Sequence, residues 1–342
     1  MALKIAVVGA AGYTGAELFR LLATHRGVKI VGAYGSKSAG KYVSEINPNL
    51  LGVVDMKIEE PHYDKIGKEV DLVFMATPNG LAMKFVPELL KGGAKVIDLS
   101  ADYRFDDVKD FESHYVKHES PDLKRVYGLP ELYRAKIKRS NLVANPGCFP
   151  TAAILSLAPL IKRKLIDIDH IIIDAKTGTS GAGAALGETT HHPVAGANVL
   201  AYSATTHRHA PEINQELSKL AGTKVKVNFT PHLLPIIRGI FSTAHVFLEK
   251  DMEKKDLLGI YRDFYAKEPF VRIREELPQI NFVVGSNYCD IGLEVDAKTN
   301  RVVVVATIDN LIKGASGQAV QNMNIMLGFD ETEALRSPGL RP

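Results

Sequence analysis

The spacing of apolar positions changes character halfway along the chain. In the first half, short β-branched runs alternate with helix-period stretches. Lys4–Val8 and Lys29–Tyr34 read as strands, as do Leu72–Ala76, Lys95–Leu99 and Leu142–Ala144. Between the first two, Ala16–Thr24 places Leu18, Leu21 and Leu22 on one helical face, and Gly80–Lys91 is helical again. Thr151–Lys162 predicts a further helix. Such alternation predicts a parallel, doubly wound sheet. The second half is richer in strands: Ile168–Ala175, Lys224–Phe229, Ser242–Leu248, Asn281–Val284, Cys289–Val295 and Arg301–Ile308. That pattern predicts an α+β domain on a mixed sheet, with a boundary at residues 147/148 and a last helix over Gly314–Leu327.

The first strand runs into Gly9-Ala10-Ala11-Gly12-Tyr13-Thr14-Gly15 and then into a helix. Strand, glycine turn and helix form the context a dinucleotide-binding fingerprint needs, with the pyrophosphate on the helix N-terminus. A Rossmann-like domain is therefore expected, with Gly9, Ala11, Gly12, Tyr13, Thr14 and Gly15 as cofactor contacts. The second strand ends in Gly35-Ser36-Lys37-Ser38. An NAD-specific fold usually carries an acidic residue there for the ribose hydroxyls. Ser36, Lys37 and Ser38 suit a 2′-phosphate instead, which favours NADP. Thr77-Pro78 and Ser100–Arg104 follow the next two strands, at the carboxyl ends where open α/β sheets bind ligands. In the second half, Lys176–Gly183 is dense in glycine, which suits either close backbone approach to a ligand or a flexible loop.

Composition narrows the function. A chain of 342 residues, 46% hydrophobic and 24% charged, has room for two domains of a globular protein. A net charge of +3 without a long lysine/arginine block argues against nucleic acid. No apolar run is long enough for a membrane span, and the start lacks signal-peptide features, so a cytoplasmic, reducing location is expected.

Of the two cysteines, Cys289 lies in a strand pattern and reads as structural. Cys148 sits in Asn145-Pro146-Gly147-Cys148-Phe149-Pro150-Thr151, a shaped turn at the start of a helix. Unpaired N–H groups and the helix dipole favour a thiolate there. His207 and His209 flank Arg208 just before Ala210-Pro211-Glu212, a helix start. In an extended segment both histidines face one side. The partners of usual metal sites are missing nearby, so no metal is expected. A histidine acting as acid or base on a Cys148 nucleophile is the more economical reading, and the sequence does not choose between the two.

These motifs, in this order, resemble the N-acetyl-γ-glutamyl-phosphate reductases of the semialdehyde dehydrogenase group. The resemblance runs from the glycine turn through Asp98–Arg104, Tyr127–Glu131, Asn145–Thr151, Ser180–Gly183, His207–Ile213 and Phe229–Pro235 to Lys313–Asn324. It implies NADPH-dependent reductive dephosphorylation of an acyl phosphate through a Cys148 thioester, in arginine biosynthesis. It also implies a small-molecule substrate, a homo-oligomer, and a C-terminal segment 309–342 that returns to the nucleotide-binding domain, leaving 148–308 as the catalytic and oligomerisation domain. Thr77, Pro78, Ser180, Gly181 and Asn310 join the expected cofactor contacts, and Arg104, Arg208 and Glu212 the expected substrate contacts. One departure concerns the substrate. Many of these reductases follow the Ser180–Gly183 motif with a basic residue and Pro-Ser, whereas this chain has Ala184-Ala185-Leu186-Gly187-Glu188. A carrier-bound aminoadipyl phosphate of the lysine pathway, another semialdehyde dehydrogenase, and a catalytically silent redox sensor are the rival readings.

Overall fold

Six parallel strands carry the first of two units. The computed structural model describes residues 2–341. The first unit runs to Pro146 and resumes over Ala315–Arg336, and the second comprises Gly147–Gly314 and the tail from Ser337. Strands β1 (Leu3–Val8), β2 (Val28–Tyr34), β3 (Leu72–Met75), β4 (Lys95–Asp98), β5 (Val126–Tyr127) and β6 (Leu142–Ala144) lie in the order β2-β1-β3-β4-β6-β5. Every pairing is parallel. β3 and β6 are buried at every position, as expected of strands covered on both faces.

The glycine turn starts its helix earlier than the apolar period suggests, at Tyr13 rather than Ala16. Gly12 is extended, and its carbonyl already accepts the Ala16 N–H at 2.9 Å. Gly9 has φ +93°, and a Cβ there would lie 2.1 Å from the Ala76 carbonyl oxygen. At Gly15 a Cβ would lie 2.5 Å from the Gly9 oxygen. Both positions require glycine, because backbone meets backbone.

The helix Gly317–Leu327 belongs to this first unit although it comes from the far end of the chain. Its polar residues are buried, and three of them make side-chain hydrogen bonds to other segments. Asn322 Nδ2 donates to the Gly128 carbonyl at 2.8 Å, and Asn324 Oδ1 pairs with His25 Nε2 at 2.9 Å. Gln321 Nε2 donates to Glu331, which also takes Arg134 Nε at 2.7 Å. A buried amide without such partners would cost its desolvation energy.

The second unit is a mixed sheet. Strands β7 (Ile171–Thr177), β8 (Leu200–Ala201), β9 (Val227–Leu233), β10 (Ile240–Phe247), β11 (Val271–Ile273), β12 (Cys289–Asp296) and β13 (Arg301–Ile308) lie in the order β11-β12-β13-β10-β7-β9-β8. β10 pairs antiparallel with β13 and β7, while β7 with β9 and β11 with β12 are parallel. β9 runs further than the apolar pattern suggests and passes through Pro231. The Pro231 carbonyl accepts the Tyr202 N–H on the side of short β8, so its missing donor faces the sheet edge.

The helix Cys148–Lys162 packs on β10 and β13 and against the helices Ala210–Ala221 and Lys254–Phe264. Every residue from Phe149 to Ile161 is buried. It begins at Cys148 itself, three residues before the expected Thr151.

Two other expectations are corrected. Asn281–Val284 is no strand: a single tight turn, Ile280–Phe282, leads to Gly285, whose φ of +83° reverses the chain. Asp309–Gly314 and the tail from Ser337, expected with the nucleotide-binding domain, lie in the second unit. The Asp309 carboxylate accepts the Gly285 N–H, and Leu340 N donates to the Val284 carbonyl at 2.7 Å. Ahead of Gly317 the chain makes a wide π-turn over Ile312–Ser316 instead of regular helix.

Candidate functional site

Cys148 is the first residue of its helix and is half-buried, and neither cysteine is in a disulfide. Gly147 before it is extended, and the first turn carries no acidic residue. Thr151 returns both its N–H and its hydroxyl to the Gly147 carbonyl, each at 3.0 Å. Glu212, fully buried at the start of the next helix, accepts the Gly147 N–H through Oε1 at 2.8 Å. The Gly147 peptide is thus clamped on both sides, which fixes where the thiol-bearing residue enters the helix.

Around the start of this helix lies an aromatic cluster. The Phe149 ring meets His207 at 5.6 Å, His209 at 5.9 Å and Phe229 at 5.4 Å between centroids. Tyr202 meets His207 at 5.4 Å, and the two histidine rings stand 4.9 Å apart edge to face. The histidines come together by another route than strand alternation. His209 has helical dihedrals, and the Ala210 N–H closes a turn on the His207 carbonyl. His207 Nδ1 accepts the His209 backbone N–H at 3.1 Å, so the neutral ring carries its proton on Nε2.

Charge follows this geometry. Burial, and then the nearby Arg208 guanidinium, pull the His207 pKa down to about 4. Burial pushes the Tyr202 hydroxyl up, and the negative charge of the Cys148 thiolate adds to the rise while Arg208 opposes it. Tyr202 and Arg208 therefore share the electrostatic surroundings of the site.

The remaining expected residues of this unit form a second group. Asn310 Oδ1 accepts the Gly239 N–H at 2.7 Å, and its Nδ2 donates to Ser180 Oγ at 2.9 Å. Gly181 follows Ser180 in a short 3-10 turn.

In the first unit, Gly9–Gly15 forms a backbone cradle at the start of the helix Tyr13–Leu22, whose first turn has no acidic residue and whose cap makes no side-chain bond. Ser36 and Lys37 are exposed and Ser38 is buried in a 3-10 turn after β2. Thr77 Oγ1, after β3, is buried without a hydrogen-bond partner among the described residues. An acidic-free helix start, a cradle that a Cβ would fill and an orphaned hydroxyl at a strand's carboxyl end fit a dinucleotide phosphate. Asp102 lashes the neighbouring loops together, accepting Gly80 N at 2.6 Å and Met83 N at 3.0 Å. Arg104 is buried, donating from Nε to the Asn145 carbonyl and from a terminal nitrogen to the Leu99 carbonyl, each at 2.8 Å. It thereby braces the ends of β4 and β6, where the sequence suggested a substrate contact.

Sequence reasoning did not single out Tyr202, Phe149, Phe229, Asp309 or Gly314 as site residues. An aromatic residue has no spacing rule for a cluster assembled from four segments. Asp309 and Gly314 lay inside quoted or neighbouring motifs without a role of their own. Among the described residues no group of His, Cys, Asp or Glu could hold a metal ion.

Comparison with known proteins agrees with this architecture. Residues 4–140 match the family model described as semialdehyde dehydrogenase, NAD binding domain, and residues 148–310 match the semialdehyde dehydrogenase dimerisation domain. The N-acetyl-gamma-glutamyl-phosphate reductase of Methanocaldococcus jannaschii is 53% identical, and that of Methanosarcina mazei 50%, each match covering 99% of both chains. Among solved structures, aspartate semialdehyde dehydrogenase II of Vibrio cholerae superposes with a TM-score of 0.74 at 17% identity, covering 96% of this chain and 99% of that one. The NADP-bound aspartate semialdehyde dehydrogenase of Candida albicans superposes at 0.69 and 18% identity, with the same coverage. At such identity these structures share the fold. Identity of this order along the whole chain, with both domain models in sequence, places the protein in the N-acetyl-γ-glutamyl-phosphate reductase family of the semialdehyde dehydrogenases.

Proposed function

We propose that this protein reduces N-acetyl-γ-glutamyl phosphate to N-acetylglutamate 5-semialdehyde with NADPH, in arginine biosynthesis. The observation that carries the reading is Cys148 at the start of a buried helix beside a two-histidine cluster, in a chain about half identical to reductases of that name over 99% of its length. The substrate is a small molecule, the dimerisation domain makes a homo-oligomer, and the enzyme works in the cytoplasm without nucleic acid or membrane. No helix among the described residues is long and apolar enough to cross a membrane.

The Cys148 thiolate attacks the acyl carbon, the carbon–oxygen bond to phosphate breaks, and inorganic phosphate leaves a thioester on the enzyme. NADPH, when bound, supplies the hydride that reduces this ester. The first unit's Gly9, Ala11, Gly12, Tyr13, Thr14 and Gly15 hold the pyrophosphate, Ser36, Lys37 and Ser38 the 2′-phosphate, and Thr77 and Pro78 flank them. In the second unit Ser180, Gly181 and Asn310 are the cofactor contacts.

The two histidines divide the work. His207, neutral and with Nδ1 occupied, donates a hydrogen bond from Nε2 to the developing oxyanion. His209 gives a proton to the alkoxide that hydride addition leaves and takes the same proton back as the carbon–sulfur bond breaks, releasing the aldehyde and restoring the thiolate. Arg208 pairs with the substrate's anionic groups, since its guanidinium matches both carboxylate and phosphate. Glu212 orients the Gly147 peptide.

Phosphate-dependent NADP⁺ reduction with a panel of semialdehydes, repeated with NAD⁺, tests this reading. N-acetylglutamate semialdehyde with NADP⁺ should be turned over best. Best turnover of aspartate semialdehyde, or of a carrier-bound aminoadipate semialdehyde, overturns the substrate, and a clear NAD⁺ preference overturns the cofactor. Cys148→Ser should lose all reduction while binding NADPH as before.

A further inference from the structure

Cys148 lies directly against a backbone segment that the mechanism above does not use. A Cβ on Gly314 would sit 2.8 Å from the Cys148 Cβ and 3.3 Å from its Cα. Gly314 is the middle of the π-turn Ile312–Ser316, a widened turn of a kind that recurs at functional sites. The position of that turn decides how tightly the cysteine is backed.

One residue holds the turn. Asp309 is fully buried. Its Oδ1 accepts the N–H groups of Leu311 at 2.8 Å and Ile312 at 3.2 Å. Its main-chain carbonyl accepts Gly314 N at 2.9 Å. Its Oδ2 accepts Gly285 N at 2.8 Å and faces the Arg238 guanidinium at 3.8 Å. Gly285 is itself backed by Leu340, whose Cγ would lie 2.7 Å from a Cβ there. A single carboxylate therefore closes the start of the turn and ties it to two other loops of the same unit.

We propose that Asp309 is a positioning residue for Cys148, acting through the Leu311–Gly314 turn to press the Gly314 backbone against the cysteine. This rests on Cys148 being the nucleophile. A thiol that must meet an acyl carbon and then release it tolerates little positional freedom, and a misplacement of about 1 Å costs on the order of a hundredfold in rate.

The test is the pH dependence of Cys148 alkylation by iodoacetamide, with kcat and KM, in Asp309→Asn, Asp309→Ala and Gly314→Ala. Cys148→Ser serves as the blank, because Cys289 is buried. Asp309→Ala should displace the alkylation midpoint by about half a unit or more, because the thiol's place at the helix start is no longer fixed. Its kcat should fall roughly tenfold or more while KM for NADPH stays within about twofold. Asp309→Asn keeps an acceptor for Leu311 but turns a donor toward Gly285, and should fall between. A folded Asp309→Ala with the parent's midpoint and kcat overturns the proposal. If that variant does not fold, Gly314→Ala decides, since it keeps Asp309 and crowds Cys148 directly; parental alkylation and kcat there overturn it too. Alkylation reads the thiol's surroundings whatever its role, so an active Cys148→Ser would sink the nucleophile while leaving the Asp309 result readable.

Discussion

His207 Nδ1 accepts the backbone N–H of His209 at 3.1 Å, which makes two neighbouring histidines chemically unequal. A ring that accepts at Nδ1 cannot take a second proton there without breaking that bond. Burial and Arg208 act in the same direction, lowering the pKa to about 4. His207→Asn should therefore lower kcat on the order of a hundredfold, as loss of an oxyanion donor does, with little change in the shape of its pH profile. His209→Asn should remove an inflection from the kcat profile. Profiles of both variants over pH 5–9 check the assignment, and loss of an inflection in the His207 variant alone would reverse it.

The same shift affects stability. In the folded chain His207 titrates near 4, against about 6.5 unfolded. Between those values the unfolded state binds more protons, so the stability from a neutral His207 is fully present above about 6.5 and falls as pH drops toward 4. Urea midpoints of the parent and His207→Asn between pH 4 and 7 should converge as the pH falls. A constant difference would place the depressed titration elsewhere.

Asp98 has the opposite sign. Its carboxylate is fully buried, and burial followed by the Asp102 charge raises it to about 7, against the opposing bonds from Ser100 and the charge of Arg104. Its folded value is above its unfolded one, so its contribution is present below about 4 and is lost as pH rises through 7. Asp98→Asn cannot ionise and should flatten that loss, so chemical denaturation of the two proteins at pH 5 and pH 8 should show a smaller difference in the variant. An equal difference in both would show that Asp98 is ionised throughout.

Periodicity made much of this architecture legible. β13 runs over Arg301–Ile308 as its β-branched pattern indicates, and the first helix, the Cys148 helix and the late helix all exist as expected, each with its start displaced by three residues. What period could not show depends on contacts between distant segments. Phe282-Val283-Val284 is apolar enough for a strand, yet it ends at Gly285, where the chain reverses and Leu340 packs. Arg104 reaches the Asn145 and Leu99 carbonyls, tying together strand ends that lie 41 and 5 residues from it, a pairing that spacing does not announce. Cys148, His207 and His209 could be named as candidates from composition and turn signals. The hydrogen bond that makes the two histidines unequal has no signature in spacing.

Proline inside a buried helix leaves another consequence to measure. Pro159 has no N–H to give to the Leu155 carbonyl four residues earlier, and both lie in the fully buried stretch of the Cys148 helix. The Tyr265 hydroxyl fills the gap, donating to the Leu155 oxygen at 2.6 Å, and the Tyr261 hydroxyl donates one position on, to the Ser156 oxygen at 2.5 Å. Both tyrosines belong to the end of the neighbouring helix Lys254–Phe264 or the residue after it, so the two helices are joined where one of them lacks its own bond. Tyr265→Phe keeps the ring but strands a buried carbonyl, and should cost about 1–3 kcal/mol. Adding Pro159→Ala restores an N–H to that carbonyl and should recover much of the loss. Urea denaturation of the two single variants and the double variant gives the coupling, and additive effects would show that Tyr265 contributes by packing alone.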